Sequence, residues 1–67
     1  MSAEDWLERF PEILLDARKS AGLSRDEVAQ KVGVSRQTVD AWENGYGLPS
    51  LPTFFKLARL FDWWAPK

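Results

Sequence analysis

The sequence predicts an all-α domain, and three observations carry that prediction. Apolar residues recur three and four positions apart along the chain and nowhere alternate for long. Helix-starting signals stand at intervals: Ser24 with Glu27, then Ser35, then Ser50 with Pro52. Glycines fall where those helices must stop, at Gly22 and Gly33, while Gly45 and Gly47 mark a loop.

The first stretch, SAEDWLERF, reads as a short helix capped by Ser2, with Trp6, Leu7 and Phe10 on one side. Pro11 suits the first turn of a second helix, where its missing N–H costs nothing. Whether the first stretch runs into that helix through a kink is open on these residues. The second helix turns Ile13, Leu14 and Ala17 inward and stops at Gly22, a residue suited to the left-handed cap. SRDE at 24–27 is a capping box, and the helix it starts buries Val28, Ala29 and Val32 before Gly33. Ser35 caps the next helix, which turns Val39 and Trp42 inward. Only VGV lies between these two helices, and two short helices joined so tightly form a helix-turn-helix. After the loop closed by Pro49, Ser50 caps a last helix with Pro52 in its first turn and Phe54, Leu57, Ala58 and Phe61 inward.

Length and composition bound what such a chain does. Sixty-seven residues make one domain, 1–67, near the lower size limit for a core without crosslinks. The chain has no cysteine and no histidine, which excludes disulfides, zinc sites built on those residues and Cys–His nucleophile pairs. Folding therefore rests on apolar burial, for which 45% hydrophobic content with four Trp and four Phe is adequate. No apolar run approaches the roughly 18 residues of a membrane span, and the N-terminus is acidic rather than basic and then apolar. A soluble, cytoplasmic protein with no membrane partner is the expectation. Nothing in the sequence points to a cofactor or to an enzyme: it has no glycine-rich phosphate loop, and no pair of carboxylates is placed near a plausible pocket.

Net charge is −1, but it is unevenly spread. Residues 1–16 set five carboxylates against Arg9, whereas residues 17–67 hold eight Lys or Arg against five carboxylates. The acidic part includes an N-terminal extension, residues 1–10. Such asymmetry permits a nucleic-acid partner for the rest of the chain, and a solvated acidic helix face explains it equally.

The stretch ARKSAGLSRDEVAQKVGVSRQTVDAWENG, followed by PS and then FFKLARLF, resembles the helix-turn-helix domain of the Cro/repressor (xenobiotic response element) family. The resemblance covers roughly residues 13–62, with the motif itself at 24–44. It is carried by GLS, the Val28–Ala29 pair, the Gly-apolar-Ser turn, Glu43 with Gly45, and Pro49–Ser50. It implies a compact, lambda-repressor-like fold of four to five helices and a small DNA-binding transcriptional regulator, of the kind phages and mobile elements carry or that is paired with toxins. The helix at 35–44 would lie in the major groove of double-stranded DNA with its first residues on base edges. By position Arg36 and Gln37 are the base readers, and their chemistry agrees: arginine grips guanine O6 and N7, and glutamine suits adenine N6 and N7. Arg25, Ser35, Thr38 and Asn44 fall at positions for backbone contact, where phosphate bonds fix register. Arg18 and Glu43 match the ion pair that ties the family's first helix to its recognition helix. The plainer readings are exposed surface residues for Arg36, Gln37 and Arg25, and two unrelated solvated charges for Arg18 and Glu43.

Departures from the family pattern matter as much. Ala41 stands at the family's late base-reading position, where it can touch a thymine methyl but cannot form a hydrogen bond. Asp40 beside it would repel phosphate if it faced the groove. The loop GYGLPSLP has no Lys or Arg, and the family's usual last helix is not expected after DWWAPK. Weak binding by one copy follows, and with it a homodimer or a protein partner. Tyr46, Leu48, Trp63 and Trp64 are the apolar residues left over after the inward positions are assigned, so they are the candidate dimer interface. The alternative is a protein–protein interaction module that keeps the fold without contacting DNA.

Overall fold

The computed structural model describes residues 3–63, an all-α arrangement of five helices among those residues. They are α1 (Ala3–Glu8), α2 (Phe10–Ser20), α3 (Arg25–Val32), α4 (Arg36–Glu43) and α5 (Leu51–Phe61). The expected Ser2 cap and Trp64 lie outside the described residues.

α1 does not flow into α2 as one helix. Pro11 has no N–H to offer the Leu7 carbonyl, and its ring crowds that carbonyl. The chain breaks for one residue at Arg9, which serves as N-cap at φ −92° and ψ 3°, and Pro11 sits in the first turn of α2. Phe10 therefore begins α2 instead of ending the first helix, and it is fully buried. Leu7 was expected inward but is half exposed. The core takes Trp6 and Phe10, one turn apart, and Leu7 lies about 100° around the helix from Trp6.

α2 ends in a Schellman motif. Gly22, at φ +71°, donates to the Lys19 carbonyl, and Leu23 donates to the Arg18 carbonyl. The capping box at Ser24 is complete in both directions: Glu27 N–H donates to Ser24 Oγ at 3.1 Å, and Ser24 N–H donates to Glu27 Oε1 at 2.9 Å. At α5 the expectation for Ser50 needs correction. It occupies the N-cap position, but its hydroxyl donates to Thr53 Oγ1 at 3.1 Å and accepts no backbone N–H.

One cluster forms the core: Phe10 and Leu14 from α2, Val28, Ala29 and Val32 from α3, Val39 and Trp42 from α4, and Leu57 from α5. Burying each large side chain contributes roughly 1.5–3 kcal/mol. Trp63, expected among the residues left over after the inward positions, packs in part against the core. Asp62 takes the left-handed conformation at φ +56°, and Trp63 N–H donates to the Ala58 carbonyl. That reversal lays the indole against Trp6, Phe10, Phe54 and Phe61 at centroid distances of 5.3 to 6.0 Å. The Trp6 and Phe10 contacts are edge-on, the arrangement the ring quadrupoles favour.

Candidate nucleic-acid interface

The interface is built on the turn between α3 and α4. Gly33 sits at φ +77°, where a side chain would be strained, and its N–H closes α3 on the Ala29 carbonyl at 2.9 Å. Val34 N–H bonds the same carbonyl, and its side chain packs on the core. Ser35 then caps α4, its Oγ accepting from Thr38 N–H at 3.2 Å and lying 2.9 Å from Thr38 Oγ1. Three residues thus set the angle between the two helices, each held by a named bond or by burial.

Val39 and Trp42 anchor α4 from below. Its opposite side carries Gln37, exposed, with Ala41 half-buried one turn later, and Arg36 is exposed on the flank that also carries Asp40 and Glu43. No acidic residue stands in the first turn of α4, so the positive end of its dipole is not offset there. Asn44, at the helix end, donates through Nδ2 to the Asp40 carbonyl at 2.8 Å. Of the residues expected at the DNA surface, Ser35, Arg36, Gln37 and Asn44 are exposed and Arg25, Thr38 and Ala41 are half-buried, and Ser35, Thr38 and Asn44 also brace α4.

A network of five charged residues holds this helix. Arg18 grips Glu43 with two bonds, Nε to Oε2 at 2.7 Å and Nη2 to Oε1 at 3.1 Å, and donates a third to the Leu23 carbonyl. The side chains of Arg18 and Glu43 are 11% and 3% exposed, so the pair is largely removed from water. The Glu43 hydrogen bond holds the Arg18 guanidinium above its usual pKa, although burial pulls the other way. Glu43 has a second partner that the sequence did not suggest, Arg25, whose Nε donates to Oε1 at 3.1 Å. Arg25 Nε also lies 3.3 Å from Asp40 Oδ1, and Asp40 Oδ2 lies 3.9 Å from Arg36 Nε. The Asp40 Oδ1 contact is close enough for an ion pair but makes no directed hydrogen bond; we take it as electrostatic, because the Nε hydrogen is aimed at Glu43. The Arg36–Asp40 contact has i,i+4 spacing and was legible in the sequence. The link from Arg25 was not, since α3 and α4 bring those residues together only in the fold.

A second surface lies on the other elements. Leu7, Leu48, Pro49, Leu51 and Phe54 line an apolar hollow of about 320 Å³. Tyr46 is 85% exposed, and Leu48, Leu51 and Phe55 are also exposed. Of the four residues proposed for a dimer contact, Tyr46 and Leu48 are thus on the surface, and Trp63 is packed into the aromatic cluster.

The comparisons agree with this geometry. A family model described as helix-turn-helix matches residues 14–62. The chain belongs to this helix-turn-helix family of the Cro/repressor type. Among helix-turn-helix relatives, an uncharacterized HTH-type transcriptional regulator of Methanothermobacter thermautotrophicus is 43% identical over 47 residues, 70% of this chain and 68% of that protein. Another, from Archaeoglobus fulgidus, is 42% identical over 45 residues, 67% of this chain and 64% of that protein. A putative HTH-type transcriptional regulatory protein of Pyrococcus furiosus is 37% identical over 51 residues, 76% of this chain but only 16% of its own length. The matched motif is α3, the glycine turn and α4, flanked by α2 and α5. α1 lies outside it. No helix among the described residues is long and apolar enough to cross a membrane.

Proposed function

We propose that this chain is a small transcriptional regulator that binds double-stranded DNA by sequence, with α4 in the major groove and two copies on an inverted repeat. One observation carries the reading: Arg36 and Gln37 stand exposed at the first turn of a helix that Val39, Trp42 and the Arg18–Glu43 pair lock in place. A rigid helix presenting a guanidinium and an amide at its N-terminus is what base-edge contact in the major groove needs. Ala41 adds a methyl contact later on the same stripe, while Ser35, Thr38, Asn44 and Arg25 flank it for the phosphates. The names of the similar proteins, HTH-type transcriptional regulators, support the same class. The regulator works in the cytoplasm, where the DNA is.

One recognition helix reads only a few base pairs, so two copies give useful selectivity. A body of 29 × 26 × 22 Å lets two copies abut while their recognition helices lie about 34 Å apart, one turn of DNA. Tyr46 and Leu48, beside the apolar hollow, are the surface for that contact.

Selection of bound duplexes from a random-sequence library, followed by sedimentation with and without the selected duplex, tests both parts. An enriched inverted repeat bound by two copies supports the reading, and Leu48→Ser should then weaken the dimer. Failure to enrich any sequence, with no binding to duplex at low salt, would favour the interaction-module alternative. The exposed apolar patch and the net charge of −1 are the observations on that side.

A further inference from the structure

We infer that Asp40 sets the specificity of this surface, by buttressing Arg36 for base contact and holding Arg25 and Arg36 back from indiscriminate phosphate contact. The inference rests on the DNA-reading proposal above and adds a residue to it.

Asp40 lies one helical turn beyond Arg36 and opposite the start of α3. Its two oxygens face two arginines: Oδ2 is 3.9 Å from Arg36 Nε and Oδ1 is 3.3 Å from Arg25 Nε. In each case the nearest arginine atom is Nε. The Arg36 contact is an ion pair without a hydrogen bond, and it does not engage the two Nη groups, the fork that would grip guanine O6 and N7. A carboxylate on Nε limits the swing of a long side chain while its reading end stays open. Arg36 is 56% exposed at its side chain, so without such a restraint it samples many rotamers and reaches neighbouring phosphates.

The same charges oppose non-specific binding. Arg18, Ser24, Arg25, Asp26 and Arg36 line a polar hollow of about 240 Å³, room for several waters at roughly 30 Å³ each and so for a phosphate group. A phosphate entering it would meet arginines already facing carboxylates. A phosphate on Arg25 or Arg36 would set a second anion near Asp40 and be repelled by it, whereas a neutral base edge would not. Non-specific affinity comes almost entirely from phosphate contacts, so it bears this cost in full. On a cognate site Arg36 contacts a base and keeps Asp40 on its Nε, so the cost there is smaller. The difference is specificity. Asp40 thus acts as a positioning residue through the arginines, and needs no contact with DNA itself.

The test compares dissociation constants for the selected duplex and a scrambled one across a salt series, for wild type, Asp40→Asn, Asp40→Glu and Asp26→Asn. Thermal melting of each variant establishes that it is folded, and Asp40→Ser replaces Asp40→Asn if the amide crowds Arg25. Asp40→Asn should tighten scrambled binding about 3- to 10-fold and steepen its salt slope by about 1, as one more arginine engages phosphate. Binding to the selected duplex should weaken, so the ratio between the two falls at least about 10-fold. Asp40→Glu keeps the charge at i,i+4 spacing and should hold the ratio near wild type. Asp26→Asn removes one carboxylate from the lining of that hollow, but Asp26 forms no ion pair with an arginine among the described residues. It should tighten both duplexes alike and leave the ratio within about twofold. An unchanged ratio in Asp40→Asn, or an equal fall in Asp26→Asn, overturns the inference while DNA reading stands. A wild-type protein that selects no sequence overturns the DNA reading, and this inference with it.

Discussion

Glu43 should matter more to stability than Arg18, although the two are partners, because each leaves a different set of charges behind. The Glu43 carboxylate is 3% exposed and accepts two bonds from Arg18 and one from Arg25. Breaking a buried pair costs roughly 3–5 kcal/mol when the surviving charge is left uncompensated. Arg18→Met does not reach that limit. Arg25 still faces Glu43, an apolar chain replaces the arginine stem, and the further loss is one bond to the Leu23 carbonyl. About 2 kcal/mol is expected. Glu43→Gln leaves Arg18, 11% exposed, beside Arg25 with Asp40 as the remaining carboxylate. The amide oxygen can keep the two bonds made at Oε1, but its NH2 group then faces Arg18 Nε and the buried negative charge is gone. About 3–4 kcal/mol is expected there. At 4–8 °C per kcal/mol for a domain of about this size, Tm falls by about 10 °C for Arg18→Met and about 20 °C for Glu43→Gln. Thermal and urea unfolding followed by circular dichroism would measure both. The double variant should lose less than the sum, by about 1–2 kcal/mol of coupling. Equal losses from the two single variants would mean that Arg25 contributes nothing to the pair, and a shift under about 2 °C in either would mean that the pair is solvated.

Arg36→Ala and Gln37→Ala should each cost about 1–3 kcal/mol on the selected duplex and much less on a scrambled one; if titrations show both variants binding like wild type, α4 does not read bases through its first turn. Gly33→Ala has space, since an added Cβ meets nothing nearer than Lys56 Nζ at 4.0 Å, so its cost is the backbone alone, about 1–2 kcal/mol at a left-handed position. Urea unfolding that gives no loss would mean that the turn relaxes. The bonds from the Ser24 backbone and then its hydroxyl hold the Glu27 carboxyl below its usual pKa. A lowered folded pKa means stability present above the unfolded value, about 4.3, and lost as pH falls through the folded one. Glu27→Gln should therefore flatten that part of the acid side of the stability curve, and an unchanged slope below about pH 4.5 would rule the capping box out as its source.

The sequence determined by itself where the helices of the motif begin and end, because caps are short-range chemistry. Ser24 with Glu27, Ser35 with Thr38, Gly22 and Gly33 act over two to four residues, and each lies where its neighbours require it. Helical spacing likewise marked Val28, Val32, Val39, Trp42 and Leu57 as core, since a helix buries a stripe that recurs with its own period. Arg36 and Gln37 were singled out by their position in the resembled family, with side-chain chemistry that agrees, and the structure leaves both exposed. The pairing of Arg18 with Glu43, 25 residues apart, came from family resemblance and from no local pattern. Tertiary structure alone decided the rest. Only the packing of α3 on α4 brings Arg25 to Glu43 and Asp40, which turns a residue expected to repel phosphate into the holder of two arginines. Only the fold brings Leu7, about 100° around α1 from the core-facing Trp6, beside Leu48 and Leu51. The return of Trp63 depends on Asp62 adopting a left-handed conformation that costs a non-glycine residue about 1–2 kcal/mol. Nothing in the local sequence offsets that cost. What offsets it is a half-buried tryptophan packed against Phe54 of α5 and against Trp6 of α1 and Phe10 of α2, the last two far from it in the chain, and so only the assembled core decides where Trp63 goes.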